Sequence, residues 1–203
     1  MEEKQVLIDY AKCIGCKHCE IACALEHSGS KELFSAILED PPPVKRIFVD
    51  VSSDLATFPS KCRHCELPFC VSVCPTGAMK KEETGLVLVD ESLCIGCGMC
   101  GMACPFGVII YAPRMEGKRV SLKCDGCLQR ISEGNVPACV EACKTGALSF
   151  VSPEEFSKEK RAYVSERIAF PTPFPETPFG VTKEVSIWRD TLKTLSELKT
   201  REV

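Results

Sequence analysis

The sequence predicts an α+β protein of short strands and short helices, built as two small units of one kind, one nested in the other, with a helical C-terminal tail. Three observations lead there. Sixteen of the 203 residues are cysteine, and they fall into four groups of four with none left over. The groups alternate between two patterns along the chain, which is the mark of an internal duplication. They begin at position 13 and end at 143, with no linker long enough to separate independent cores.

The first group is Cys13, Cys16, Cys19 and Cys23, and the third is Cys94, Cys97, Cys100 and Cys104. Both have the spacing C-x2-C-x2-C-x3-C, and the third adds Pro105, completing the bacterial run that ligates [4Fe–4S] clusters. Three thiolates so close in sequence can surround a cubane from a single loop. Gly15, Gly96 and Gly98 let the backbone approach where a Cβ would crowd it, so that N–H groups can point at sulfur. Ile14 and Ile95 are candidates for a water-excluding shell, and Pro75 and Pro105 turn the chain away without leaving an unsatisfied N–H. Zinc is the competing use of four-cysteine sites. Zinc ribbons, however, use two separated C-x2-C knuckles and need neither the third cysteine three residues on nor the fourth four residues later.

The second group is Cys62, Cys65, Cys70 and Cys74, and the fourth is Cys124, Cys127, Cys139 and Cys143. Leu7-Ile8-Asp9 leads to Cys13-Ile14-Gly15-Cys16 as Leu88-Val89-Asp90 leads to Cys94-Ile95-Gly96-Cys97. Cys70-Val71-Ser72-Val73-Cys74-Pro75-Thr76-Gly77-Ala78 is matched by Cys139-Val140-Glu141-Ala142-Cys143-Lys144-Thr145-Gly146-Ala147. Between groups two and three, a charged turn over 80–85 precedes Leu86-Val87-Leu88-Val89, predicting a short hairpin. That stretch has the layout of a two-cluster bacterial ferredoxin, in which the fourth cysteine of each run ligates the other cluster. The same exchange implies Cys62, Cys65 and Cys70 with Cys104, and Cys94, Cys97 and Cys100 with Cys74, as an inner unit over about 55–115. An outer unit, from about 1–30 and 116–150, then takes Cys13, Cys16 and Cys19 with Cys143, and Cys124, Cys127 and Cys139 with Cys23. Ala24 and Lys144 stand where groups three and two carry proline, so the outer sites depart from the strict run.

Charge and composition exclude other classes. The formal net charge is −3, and no Lys/Arg-rich tract marks a nucleic-acid footprint. Each oxidised cluster with its thiolates adds roughly −2, which takes the loaded protein to roughly −11. The start Met-Glu-Glu-Lys-Gln has no secretory or twin-arginine character, so a reducing cytoplasm and metal-bound cysteines are expected rather than disulfides. No apolar run reaches the length of a membrane span. Gly96-Cys97-Gly98-Met99-Cys100-Gly101 spells a dinucleotide fingerprint but spends two positions on ligands. His18, His27 and His64 read as solvated loop residues, with His18 or His64, beside ligands, as a candidate tuner of potential. No group lacks a cysteine, so no iron has an open position for catalysis. The chain reads as a carrier of electrons without catalytic residues; a zinc interaction module and an enzyme in its own right are the other readings.

Lys123-Cys124-Asp125-Gly126-Cys127, Arg130, Pro137-Ala138-Cys139-Val140 and Thr145-Gly146-Ala147-Leu148 resemble the four-cluster electron-transfer subunits of dimethyl sulfoxide reductase, formate dehydrogenase and hydrogenase systems. Cys62-Arg63-His64-Cys65 and Cys104-Pro105-Phe106-Gly107 do so too, and the resemblance covers about 4–150. It implies four [4Fe–4S] clusters spaced for electron hopping. It also implies a partner such as carbon monoxide dehydrogenase, whose ferredoxin-like partner protein this chain most resembles, with a hydrogenase, ferredoxin or flavoprotein as acceptor. A soluble formate dehydrogenase or hydrogenase complex is the alternative.

From 151 onward lies a tail. Ser152-Pro153-Glu154-Glu155 predicts a helix with Ser as N-cap, running to about Ile168. Pro171, Pro173, Pro175 and Pro178 predict an extended arm, and Val185, Trp188, Leu192, Leu195 and Leu198 share a face of a second helix over 183–199, which either packs back onto the core or is a candidate docking element for another subunit or a second copy. Between groups one and two, the run 44–51 predicts a strand bordering the core, with Lys45 and Arg46 as a solvated start or a contact for an acidic partner.

Overall fold

The structure, a computed structural model, describes residues 4–53, 56–113 and 117–169. The proline arm over 171–178 and the helix expected over 183–199 lie outside the described residues. The chain divides into two units, Met1–Pro153 and Glu154–Val203.

Among the described residues the first unit holds eight strands and six α-helices, all short. In chain order they are β1 (Gln5–Ile8), α1 (His18–Glu26), α2 (Leu33–Ile37), β2 (Ile47–Val51), β3 (Thr57–Lys61), α3 (Phe69–Ser72), β4 (Met79–Lys81), β5 (Val87–Val89), α4 (Met99–Ala103), β6 (Ile110–Pro113), β7 (Arg119–Leu122), α5 (Leu128–Ser132), α6 (Ala138–Glu141) and β8 (Leu148–Val151). The second unit contributes α7 (Pro153–Ala169), which starts at the proline after Ser152 and has Glu154 and Glu155 in its first turn, where acidic groups complement the helix dipole.

The strands pair as four separate antiparallel ribbons: β1 with β8, β2 with β3, β4 with β5 and β6 with β7. Three are hairpins between neighbouring cysteine groups. The fourth joins the ends of the unit, setting Val6 opposite Phe150 and Ile8 opposite Leu148. Only β2 and the β4–β5 hairpin correspond to predicted strands of the connectors. Pro59 hides β3 from a propensity reading; it sits opposite Val49 in a two-stranded ribbon, where one edge needs no N–H.

Two small cores result. One packs Val6, Ile47, Val49 and Leu148 against Cys19, Cys23 and Cys139, and the other packs Met79 and Ile109 against Cys100, with Val71, Val89 and Tyr111 at its border. Cysteines are therefore not decoration on a finished core; they are part of it. The strand β2 is locked down by Glu20 of α1, which accepts from Val49 N at 2.6 Å and from Lys45 Nζ at 2.7 Å. Arg46 pairs with Asp125 at 2.7 Å. Arg46, with a side chain 17% exposed, is turned inward, which corrects the expectation of a solvated strand start or partner contact there, while Lys45 stays 39% exposed around its ion pair; the fold supplies their carboxylates from 25 and 79 residues away.

At the C-terminal end of α1, Glu26 receives Lys31 and Arg130, each at 3.0 Å. Burial pushes its carboxyl up, but the two cations outweigh that and hold it below the ordinary glutamate range. A carboxylate depressed in the folded state contributes stability above its unfolded pKa of about 4.3, and loses it as pH falls through the folded value. Glu26→Gln should therefore lower the thermal midpoint by a constant amount from pH 8 to 5, with the gap closing only below about pH 4.3. A gap that varies between pH 8 and 5 would show that another group sets it.

Candidate metal centres

Each cysteine group is delivered by the same local device. The residue before the second cysteine adopts positive φ in all four groups: Gly15 at 71°, His64 at 47°, Gly96 at 68° and Gly126 at 76°. This left-handed step turns the backbone back on itself, so that His64 N donates to Cys62 Sγ at 3.5 Å and Gly126 N to Cys124 Sγ at 3.4 Å. Glycine takes that step without steric penalty. Gly96 has a second reason, since a Cβ there would run into the carbonyl oxygen of Arg119, whereas Gly98 faces open space and serves by its φ of 85° alone. The third cysteine then rides on a helix: Cys19 on α1, Cys70 on α3, Cys100 on α4 and Cys139 on α6.

The structure gathers thiols from different groups. Cys94, Cys97 and Cys100 line one cavity together with Cys74, and Cys62, Cys65 and Cys70 line another with Cys104. Cys19 lies within electrostatic range of Cys13, Cys143 and Cys16; burial and then that repulsion push its thiol up to about 11. Cys23 is pushed up to about 12 by burial and by Cys124 and Cys127, and Cys139 rises for the same reasons with Cys124, Cys127 and Cys23 as neighbours. Among the described residues no three His, Cys, Asp or Glu close round a point that would hold a single metal ion.

Crowded, half-buried thiols of this kind suit a polycationic centre. Four thiolates together would repel one another in a poorly solvated place, and a bound cationic core reverses that by neutralising them and releasing their protons. Donors to sulfur are already in position. Arg46 N donates to Cys23 Sγ at 3.2 Å and Ser121 N to Cys94 Sγ at 3.4 Å. Thr76 and Thr145, equivalents in the repeat, each place a hydroxyl 3.7 Å from the sulfur of Cys74 and Cys143. Burial raises these last two thiols and Cys94, but the donors outweigh it and leave all three below the ordinary range. Tyr111 donates to Gly98 O and accepts from Gly101 N, each at 3.1 Å, and sits 3.6 Å from Cys100 Sγ. Ser121, Tyr111 and the two threonines were not singled out from sequence; only the repeated Thr-Gly-Ala carried a readable signal.

Two expectations need correcting. Ile14 and Ile95 are 71% and 65% exposed, so a shell of buried isoleucine is absent there, although Ile95 borders the cavity of Cys94. Among the histidines, only His18 is exposed. His27 sets its ring nitrogens against Cys23 O at 2.7 Å and Asp125 at 3.1 Å. His64 accepts from Val87 N at 3.0 Å through Nδ1, and burial with the nearby Lys123 and Lys61 charges pushes its pKa down to about 3. Asp125 and Val87 lie 98 and 23 residues from their histidines, so a loop reading misses both contacts.

Known proteins share these features. Two models of the 4Fe-4S dicluster domain match the chain, one over residues 12–78 and one over 53–153. Over 165 residues the sequence is 41% identical to a component of the anaerobic dimethyl sulfoxide reductase of Escherichia coli (strain K12), covering 75% of each protein. It is 38% identical over 178 residues to an iron-sulfur protein of Rhodospirillum rubrum, covering 82% of this protein and 93% of that one. Over 142 residues it is 34% identical to a component of the tetrathionate reductase of Salmonella typhimurium (strain LT2), covering 70% of this protein and 55% of that one. The chain belongs to the family of ferredoxin-like iron–sulfur subunits of the dimethyl sulfoxide reductase type. It carries four [4Fe–4S] clusters and is an electron-transfer protein.

Proposed function

We propose that the chain relays single electrons between the catalytic subunit of a reductase and a second redox protein, through clusters held as two nested pairs. The inner sites are Cys62, Cys65, Cys70 with Cys104, and Cys94, Cys97, Cys100 with Cys74. The outer sites are Cys13, Cys16, Cys19 with Cys143, and Cys124, Cys127, Cys139 with Cys23. The observation that carries this reading is that each inner cavity is lined by three thiols of one group and the last thiol of the other. The β1–β8 ribbon supports the outer pair by joining the segments that carry groups one and four.

When bound, each cluster takes up and gives back one electron. The chain's own residues hold it, limit water and aim N–H and O–H donors at its sulfurs, which sets the potential. The reductase names of the relatives favour a reductase catalytic subunit as partner; the carbon monoxide dehydrogenase expected from sequence alone draws no support from them. A cytoplasmic location is supported by the use of all sixteen cysteines as cluster ligands, since a reducing compartment keeps thiols available for metal. Among the described residues no helix is long and apolar enough to cross a membrane.

Protein purified without oxygen should absorb broadly near about 400 nm, bleach with dithionite and contain about sixteen irons per chain, four for each cluster. A colourless, zinc-loaded protein would sink the reading.

A further inference from the structure

Lys61 and Lys123 are 4% and 3% exposed, and lysine is almost never so buried unless paired. Their acceptors are carbonyls, not carboxylates. Lys61 Nζ donates to Cys62 O at 3.1 Å; Lys123 Nζ donates to Cys124 O at 3.0 Å and to Val87 O. A carbonyl satisfies a proton but does not offset the desolvation of a charge. Anions nearby do that: Asp125, which shares His64 and Cys124 with these lysines as electrostatic neighbours, and a bound cluster with its thiolates.

The two lysines are equivalents in the repeat, each preceding the first cysteine of its group, and each turning its own Nζ back to that cysteine's carbonyl. Each also lies within electrostatic range of the opposite group. Lys123 lines the cavity of Cys62, Cys65, Cys70 and Cys104. Burial pushes the Cys70 thiol up, and the Lys123 charge pulls against it. Lys61 acts in the same sense on Cys124 and Cys139, both raised by burial. A cluster with four thiolates carries roughly −2 when oxidised and gains one more negative charge on reduction.

We propose that Lys61 and Lys123 are reciprocal tuning residues: each buried ammonium raises the reduction potentials of the cluster beside it and of the cluster in the opposite group. The inference rests on the ligand sets proposed above. Because the side chains are shielded from water and salt, their effect should far exceed that of a solvated lysine at a similar place in sequence. Lys12, one residue before Cys13 with a side chain 55% exposed, supplies the comparison.

The test is an anaerobic redox titration of the whole loaded protein, followed by electron paramagnetic resonance. Lys61→Gln, Lys61→Met, Lys123→Gln and Lys123→Met are each compared with wild type and Lys12→Gln. At either buried position two of the four midpoints should fall by about tenfold in the one-electron equilibrium, about 59 mV, while Lys12→Gln leaves all four in place. Iron-replete variants with unmoved or raised midpoints would overturn the proposal. So would failure of all four to load iron, since a tuning charge is dispensable for assembly and a structural brace is not. A wild type with fewer than four clusters would instead defeat the ligand sets, which keeps the two failures apart.

Discussion

Anaerobic removal of iron by a chelator should abolish the cooperative thermal transition of the first unit and most of its slowly exchanging amides. The reason is that no element there can stand alone. Its four ribbons have two strands each, and an isolated two-stranded ribbon is marginal in water at best. Apart from α1, with nine residues, its helices have four or five, well below the length at which a helix persists unaided. Three of the seven buried residues in the larger core are Cys19, Cys23 and Cys139, so removing the metal unpicks the core itself. Binding and folding are then one event. A metal-free protein that still melts cooperatively, with protected amides in β1 and β8, would show a core independent of its clusters.

The second large effect is expected at Asp125, between Cys124 and Cys127. Its carboxylate receives Arg46 Nη1 at 2.7 Å, His27 Nε2 at 3.1 Å and Cys127 N at 2.9 Å. Burial alone would raise its pKa, but these three partners hold it well below the usual carboxylate range. Asp125→Ala would take their shared acceptor from Arg46 Nη1 and His27 Nε2, in side chains only 17% and 12% exposed. Removing one partner of a buried pair costs about 3–5 kcal/mol. With the Asp125 side chain itself 32% exposed, about 3 kcal/mol is expected, a fall of about 6–12 °C in the midpoint for loss of the 400 nm band. Asp125→Asn should recover part of it by keeping the acceptor for Cys127 N. The sign with pH follows from a depressed carboxyl: the contribution is complete above about pH 4 and disappears as pH falls through the folded value. A loss under about 1 kcal/mol for Asp125→Ala would show that Arg46 and His27 find water instead.

The cysteine groups, the A-B-A-B repeat and the β4–β5 hairpin were legible in the sequence because each is a local pattern: fixed spacing, turn residues, a β-rich run. What escaped has no local pattern. Arg46 meets Asp125 across 79 residues and His27 meets it across 98, so neither could be told from a solvated side chain. His64 escaped for a subtler reason. It occupies the left-handed position that is glycine in the other three groups, and a histidine gives no warning of positive φ. Lys61 and Lys123 read as ordinary charged neighbours of cysteine, since lysine carries no sequence mark of burial. The hairpin β6–β7 passed unnoticed because its strands, Ile110–Pro113 and Arg119–Leu122, are too short for periodicity to register.

The most direct test of the exchanged fourth cysteine is electron paramagnetic resonance of single Cys→Ser variants, comparing which cluster signal each one alters. Cys104→Ser should alter the same signal as Cys65→Ser and leave untouched the signal altered by Cys97→Ser, although Cys104 belongs in sequence with Cys97. If Cys104→Ser and Cys97→Ser alter one and the same cluster, each group closes its own site and the nested wiring is wrong.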